Sequence, residues 1–319
     1  MTGSAATAAV APPRQRRWHR RPFVLLMRRA WRLSRTKIGL GLALLLLGVA
    51  LCGPFFAPHD PTEFVGAPNS KPSSDALLGT DNLGRDVLSR FLWGGRSILG
   101  LSVAATAIGL LLGVMIGLTA AYSRSKLDDV LMRGMDVILA FPAIVLALVA
   151  VATVGPRLWL IVLAVALTTM PRVARVTRGA SLEIVERDYV QAAEAMGESR
   201  GRILTGELLP NITGPLMVEA SLRLTYAVGL IAALSFLGFG IQPPKADWGL
   251  MINENRLALT VQPWGVVMPV LAIALLTIGT SLIGDGIARA AAGIDRSAEP
   301  SVEVIPIFVP VSADAPGVQ

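Results

Sequence analysis

Apolar residues along this chain gather into long runs, with neither the alternation of a half-buried strand nor the single stripe of a soluble helix. Six runs reach the length needed to cross about 30 Å of hydrocarbon at 1.5 Å per helical residue. They are Ile38–Phe56, Ser97–Tyr122, Val130–Thr153, Leu158–Val176, Pro215–Gly238 and Trp264–Arg289. The pattern predicts an all-α polytopic membrane protein with six transmembrane helices. The third and fourth runs are parted only by Val154-Gly155-Pro156-Arg157, where Gly-Pro supplies a helix stop. The fourth and fifth are parted by a polar insert, running from Asp188 to Gly197 and on to Leu208-Leu209-Pro210-Asn211. Leading into it and along it, Leu182, Val185, Tyr189, Ala192, Ala193 and Met196 recur at helical spacing, which predicts a short helix with a narrow apolar stripe. Gly197 suits the left-handed position that ends such a helix. A second short helix over Ile203–Leu209 is predicted to leave at an angle and stop before Pro210. The product is a helix-turn-helix knob. Two readings of it stand at this level: a contact for another protein, and an amphipathic connector lying on the membrane surface.

Composition supports the membrane assignment, with 53% hydrophobic and 16% charged residues. Charge then orients the chain. Ten Lys and Arg lie between Arg14 and Lys37 with no acid among them, which predicts a cytoplasmic tail over residues 1–37. With six spans, the knob and the C-terminus fall on the same side. The long segment 57–96 falls outside, where Asp60, Glu63, Asp75, Asp81 and Asp86 balance Lys71, Arg85, Arg90 and Arg96. The net charge of +7 is thus chiefly a topology signal, and binding of nucleic acid by the basic tail is a minor reading. The first run is too long and too far from the start for a cleaved signal peptide.

Catalytic equipment is missing from the sequence. The two histidines, His19 and His59, fall on opposite sides of the expected topology, so neither a His-based metal cluster nor a triad assembles. Cys52 is the single cysteine and lies in an apolar run. No Gly-Lys pair occurs, which removes the loop that cradles nucleotide phosphates. These observations predict a non-enzymatic chain with no cofactor of its own.

Four stretches carry a resemblance: Ala57-Pro58-His59-Asp60-Pro61, LGTDNLGRDVLSR over Leu78–Arg90, the knob, and SFLGFGIQPPKADWG over Ser235–Gly249. In this order among six spans they resemble the membrane subunits of the dipeptide/oligopeptide/nickel class of ABC importers, in the C-type permease chain. The similarity runs from about Arg28 to Asp295. It implies a type I importer permease fold in the bacterial cytoplasmic membrane, with a five-helix core over 97–289 and a coupling loop at about 177–214. The implied partners are a second, homologous permease chain, two ATP-binding subunits or one fused ATPase that hold ATP and Mg, an external substrate-binding protein, and the lipid bilayer. Peptide is the implied cargo, with nickel or glutathione as the alternatives. Tyr189, Gln191, Ala192, Ala193, Gly197, Leu209 and Pro210 are the implied ATPase contacts, where small Ala192 and Ala193 let the helix lie deep in a cleft. Gln191 stands where relatives most often have Glu, and Glu207 where they often have His. Asp295-Arg296 lacks the Pro that relatives often place after the Asp. Residues 290–319 form an expected cytoplasmic tail, mostly disordered, whose Val304–Val309 patch is a candidate docking segment.

Three further groups complete the expectations. Glu219 and Arg223 stand four apart on the fifth span and can pair on one helix face, either structurally or lining the pathway. Arg133 and Asp136 invite the same reading. Arg85–Trp93 reads as an external interfacial helix, which with Gln242–Trp248 places Asp81, Arg85, Asp86, Trp93 and Trp248 on an external surface, either meeting a substrate-binding protein or forming a structural lid. A self-sufficient secondary carrier is the competing class, although no inverted repeat is visible and the charges cluster near span ends.

Overall fold

The computed structural model describes residues 22–123 and 125–292. The far N-terminal tail, Asp295-Arg296 and the Val304–Val309 patch lie outside the described residues.

Five helices are long and apolar enough to cross a membrane: α2 (Ser34–Cys52, extended by a short 3-10 turn), α3 (Val87–Ser123), α6 (Leu158–Val185), α10 (Thr213–Phe236) and α12 (Trp264–Ala291). The third predicted span is not one helix. It consists of α4 (Lys126–Leu139) and α5 (Ala143–Val154), bent against each other by 82°. The cause is Pro142, which has no amide for the ladder and biases Phe141 away from the helical region. The Gly155 break before α6 forms where the sequence places it.

α3 and α6 make the most extensive helix pair of the bundle. Their approach is set by Gly109, Gly113 and Gly117, each facing α6 with no room for a side chain. A Cβ at Gly113 would stand 2.6 Å from Cβ of Val173 and 2.7 Å from the Met170 carbonyl. The packing therefore uses the small-residue spacing that lets membrane helices touch backbone to backbone. Gly113→Val is expected to overpack this contact, costing about 1–3 kcal/mol. Gly100→Val, on the same helix in open space, should be neutral or stabilising. Thermal unfolding of the two variants in detergent checks the difference; equal midpoints would remove the claim.

Two pieces of the fold sit at opposite ends of the bundle. At one end are α7 (Asp188–Ala195), α8 (Arg200–Arg202), a π-helical turn over Ile203–Leu208 and α9 (Leu209–Asn211). At the other are the segment 53–86 and α11 (Trp248–Asn255). α1 (Pro22–Arg32) packs Leu26 and Ala30 against Ile287 and Ala290 of α12. Apolar side chains left exposed, such as Leu44 and Leu45 on α2 and Leu111 and Met115 on α3, form the faces that lipid or another membrane chain covers.

Candidate functional site

The knob is built on an apolar core of its own. Val190 and Ala193 of α7 pack with Val185, Ile203, Leu208 and Ile212, with Leu118 of α3 beneath them. Gly197 ends α7 with φ +81°, in the left-handed region the sequence assigns to it. The second arm differs from expectation. It does not stop before Pro210 but stays helical through Asn211 and breaks at Ile212, where φ is −101° and ψ 7°. Pro210 offers no amide to the Gly206 carbonyl and crowds it. The chain responds by widening into a π turn, in which the Leu209 amide donates to the Leu204 carbonyl, five residues back.

This packing splits the predicted stripe in two. Ala193 is only 7% exposed and faces inward, packed in the knob's own core. Tyr189, Ala192 and Met196 stand at spacings of three and four on the adjoining face and are exposed, Met196 at 77%. Gln191 is exposed beside them, its amide reaching the Glu186 carbonyl at 3.4 Å. Leu209 is half-buried in the knob and Pro210 exposed. Partial burial, then the nearby Glu207 carboxylate, push the Tyr189 hydroxyl above its ordinary pKa, and Arg187 opposes this. Tyr189 therefore remains a neutral hydrogen-bonding group at any physiological pH. A groove of about 680 Å³ runs beside α7, lined by Tyr122, Gln191, Glu194, Glu198 and Arg200.

α4 is tied to α6 by charge. Arg178 donates Nε and Nη2 to the two carboxylate oxygens of Asp128, each at 2.6 Å. One turn along α6, Arg175 bonds Asp136. The expected Arg133–Asp136 pairing does not form, because α6 offers Asp136 an arginine across the helix interface. Glu219 and Arg223 do come together, with Oε1 and Nε 2.8 Å apart but without hydrogen-bond alignment. The Arg223 guanidinium lies 6.0 Å from the ring of Tyr226, and that of Arg172 lies 5.5 Å from the same ring.

Four of the five residues assigned to an external surface are instead buried. Asp81, Arg85, Asp86 and Trp248 are each at most 2% exposed, and only Trp93 is at the surface. Nor is Arg85–Trp93 a separate interfacial helix, since α3 begins at Val87 and runs unbroken into the span. Asp86 caps it, accepting the Ser89 amide at 2.9 Å and hydroxyl at 2.6 Å. Arg85 and Arg90 share two acids: Asp81 at 2.6 and 3.3 Å, and Glu254 of α11 at 3.1 and 2.7 Å. Trp248 stacks on Phe91 with ring centroids 5.6 Å apart and donates Nε1–H to the Phe91 carbonyl at 2.9 Å. Asp247 caps α11 through the Leu250 amide and accepts from Ser97 at 2.6 Å. Burial pushes the Asp247 carboxyl upward against these bonds, the Ser97 bond foremost. The group therefore favours folding most at low pH and loses that contribution as pH rises through its raised pKa. These residues clamp α11 onto the start of α3 and do not form an open face. Glu254, Asn255 and Gln262 complete the clamp and were missed by sequence reading; their partners lie more than 160 residues away.

Residues 109–292 match the family described as binding-protein-dependent transport system inner membrane component. The chain belongs to this family. Among its relatives, a putative peptide transport system permease of Brucella suis is 38% identical over 267 residues, covering 83% of this chain and 90% of that protein. A di/tripeptide transport system permease of Pseudomonas aeruginosa is 39% identical over 256 residues, 78% of this chain and 84% of the relative. A glutathione transport system permease of Pectobacterium atrosepticum is 37% identical over 246 residues, 76% of this chain and 82% of the relative. The fold is similar to a chain of the inward-facing MetNI methionine ABC transporter, with a TM-score of 0.50 at 20% identity over 63% of this chain and 96% of that one. The described helices thus carry the permease fold of an ABC importer. As in other members of the family, the chain is a permease subunit of the inner membrane.

Proposed function

We propose that this chain forms one half of the translocation pathway of an ATP-driven importer of di- and oligopeptides. The knob faces the cytoplasm and seats in a cleft of an ATP-binding subunit, which holds ATP and Mg. A second, homologous permease supplies the other half, and a substrate-binding protein delivers the peptide from outside. The observation that carries the reading is the exposed face of Tyr189, Ala192 and Met196 on a knob whose adjoining face is packed. An apolar face held rigidly in a polar insert serves protein contact, because rigid seating is what transmits a partner's motion. The polar contacts fall to Gln191 and to Glu207 beside Tyr189. The names of the relatives favour peptide over nickel as cargo, and glutathione is itself a small peptide.

The test is energisation. Proteoliposomes holding both permeases, the ATP-binding subunits and the binding protein should take up a dipeptide with ATP and not with an ion gradient alone. Uptake by this chain alone on an ion gradient, with no ATPase present, would make it a secondary carrier and overturn the reading.

A further inference from the structure

Arg172, Arg175 and Arg178 rise along α6 at three-residue spacing. Arg178 is matched by Asp128 of α4 and Arg175 by Asp136, eight residues further along α4. Arg172 is the next rung. At that level α4 has ended and the chain turns through the bend, so among the described residues no carboxylate meets Arg172. Its guanidinium instead lies over Tyr226 and borders a cavity of about 320 Å³, lined by Ala140, Phe141, Pro142, Thr168, Arg172 and Tyr226.

Arg172 is exposed and stands roughly 21 Å along α6 from Leu158 at 1.5 Å per residue, close to the Val176 end of the fourth apolar run. A cation placed there faces a wet interior, a partner or the span's end. Irregular backbone at such depth is tolerated where it lines a cavity, and the bend is such backbone. The cavity also receives the start of α5. Pro142 offers no side-chain cap, and the first bond reaching back across the break is from the Leu146 amide to the Pro142 carbonyl. The amides of Ala143, Ile144 and Val145 are left without intrahelical partners at the positive end of the helix dipole. A guanidinium without a carboxylate partner, the ring of Tyr226 that holds it and the helix start at Ala143 thus border one space, and the guanidinium and the helix start both favour an anion. The volume accommodates a carboxylate with a small side chain beside it.

We propose that this cavity is a carboxylate-binding subsite for the translocated solute, with Arg172 as its cation, Tyr226 as the ring that holds the guanidinium in place, and the bend as its wall. The proposal rests on the chain being a peptide importer permease. A free peptide C-terminus is the ligand group it fits, since a guanidinium pairs a planar carboxylate through two parallel bonds. The opening of the bend toward the pathway would let the solute leave the binding protein and meet a second charge-matched station within the membrane.

The test compares alanyl-alanine with alanyl-alanine amide in proteoliposomes of the complete importer. Arg172→Gln is expected to raise KM for the acid by about 10- to 100-fold, the range expected for losing one charge-assisted contact, with the amide's KM unchanged and Arg172→Lys partly restoring the acid. A structural defect would lower kcat for both solutes alike, and that result, or wild-type kinetics for the acid, overturns the subsite. A second measurement leaves Arg172 intact: in a Cys52→Ser background, Tyr226→Cys should be protected from a thiol reagent by the acid and not by the amide. Equal protection, or none, overturns the subsite too. Failure of the wild-type importer to take up either solute with ATP brings down the functional reading itself, which separates the two failures.

Discussion

Ala192→Arg is expected to leave the protein folded in the membrane and abolish ATP-coupled uptake, whereas Ala193→Arg is expected to remove the folded protein itself. The two residues are neighbours on α7 with opposite surroundings. Ala193 is buried with Val190, Ile203 and Leu208, so an arginine there must place an unpaired charge in an apolar core. Such a charge costs about 3–5 kcal/mol when nothing compensates it, enough to melt a small packed unit. Ala192 meets only solvent in this chain, and an arginine there disturbs nothing until a partner approaches. The measurements are abundance in membranes, unfolding temperature in detergent, and recovery of the ATP-binding subunits on purification. Ala192→Arg should score as wild type on the first two and lose the third along with uptake. Retained coupling in Ala192→Arg, or a stable and abundant Ala193→Arg, would show that the faces have been assigned the wrong way round.

The second large effect is expected at the other end of the molecule. Trp248→Ala should cost about 3–5 kcal/mol, the range for deleting a buried large aromatic, and lower the unfolding temperature sharply. The side chain is fully buried, stacks on Phe91 and satisfies the Phe91 carbonyl, so its removal opens a cavity and strands an acceptor together. Trp93→Ala is the comparison. Trp93 is 37% exposed and meets the Arg96 guanidinium 5.2 Å from its ring centroid, a contact worth about 0.5–1 kcal/mol at the surface. Equal losses at the two tryptophans would contradict the clamp. A loss of uptake with no loss of stability in Trp248→Ala would point instead to a direct role for this end of the protein in binding.

The runs of α2, α6, α10 and α12 were legible because hydrocarbon thickness forces a length of apolar sequence that soluble structure seldom needs. The start of α3 was not legible. Arg85, Asp86, Ser89 and Arg90 read as the polar flank of a span, and their burial depends on Glu254, which no local pattern connects to them. A charge cluster that satisfies itself across the fold looks, in sequence, like a solvated loop. The α4–α5 bend had a written signal in Pro142, but a long apolar run conceals a break whose cause is backbone geometry. In the knob, periodicity identified an apolar stripe and Gly197 its end. Which half of the stripe is inside was decided by Ile203 and Leu208, on the arm after the turn.

That arm's π turn has a consequence for how the knob tolerates change in chain length. Deleting one residue between Ile203 and Leu208 would let an ordinary α-helix close, because a turn closed five residues back takes up one residue more than a turn closed four back for about the same rotation. The arms on either side would keep their bearing, and Tyr189, Ala192 and Met196 would still face outward. The same one-residue gap elsewhere in the helical knob would turn the contact face by about 100°. The π turn is thus the place in the knob where the chain can shorten by one residue and leave the contact face where it is.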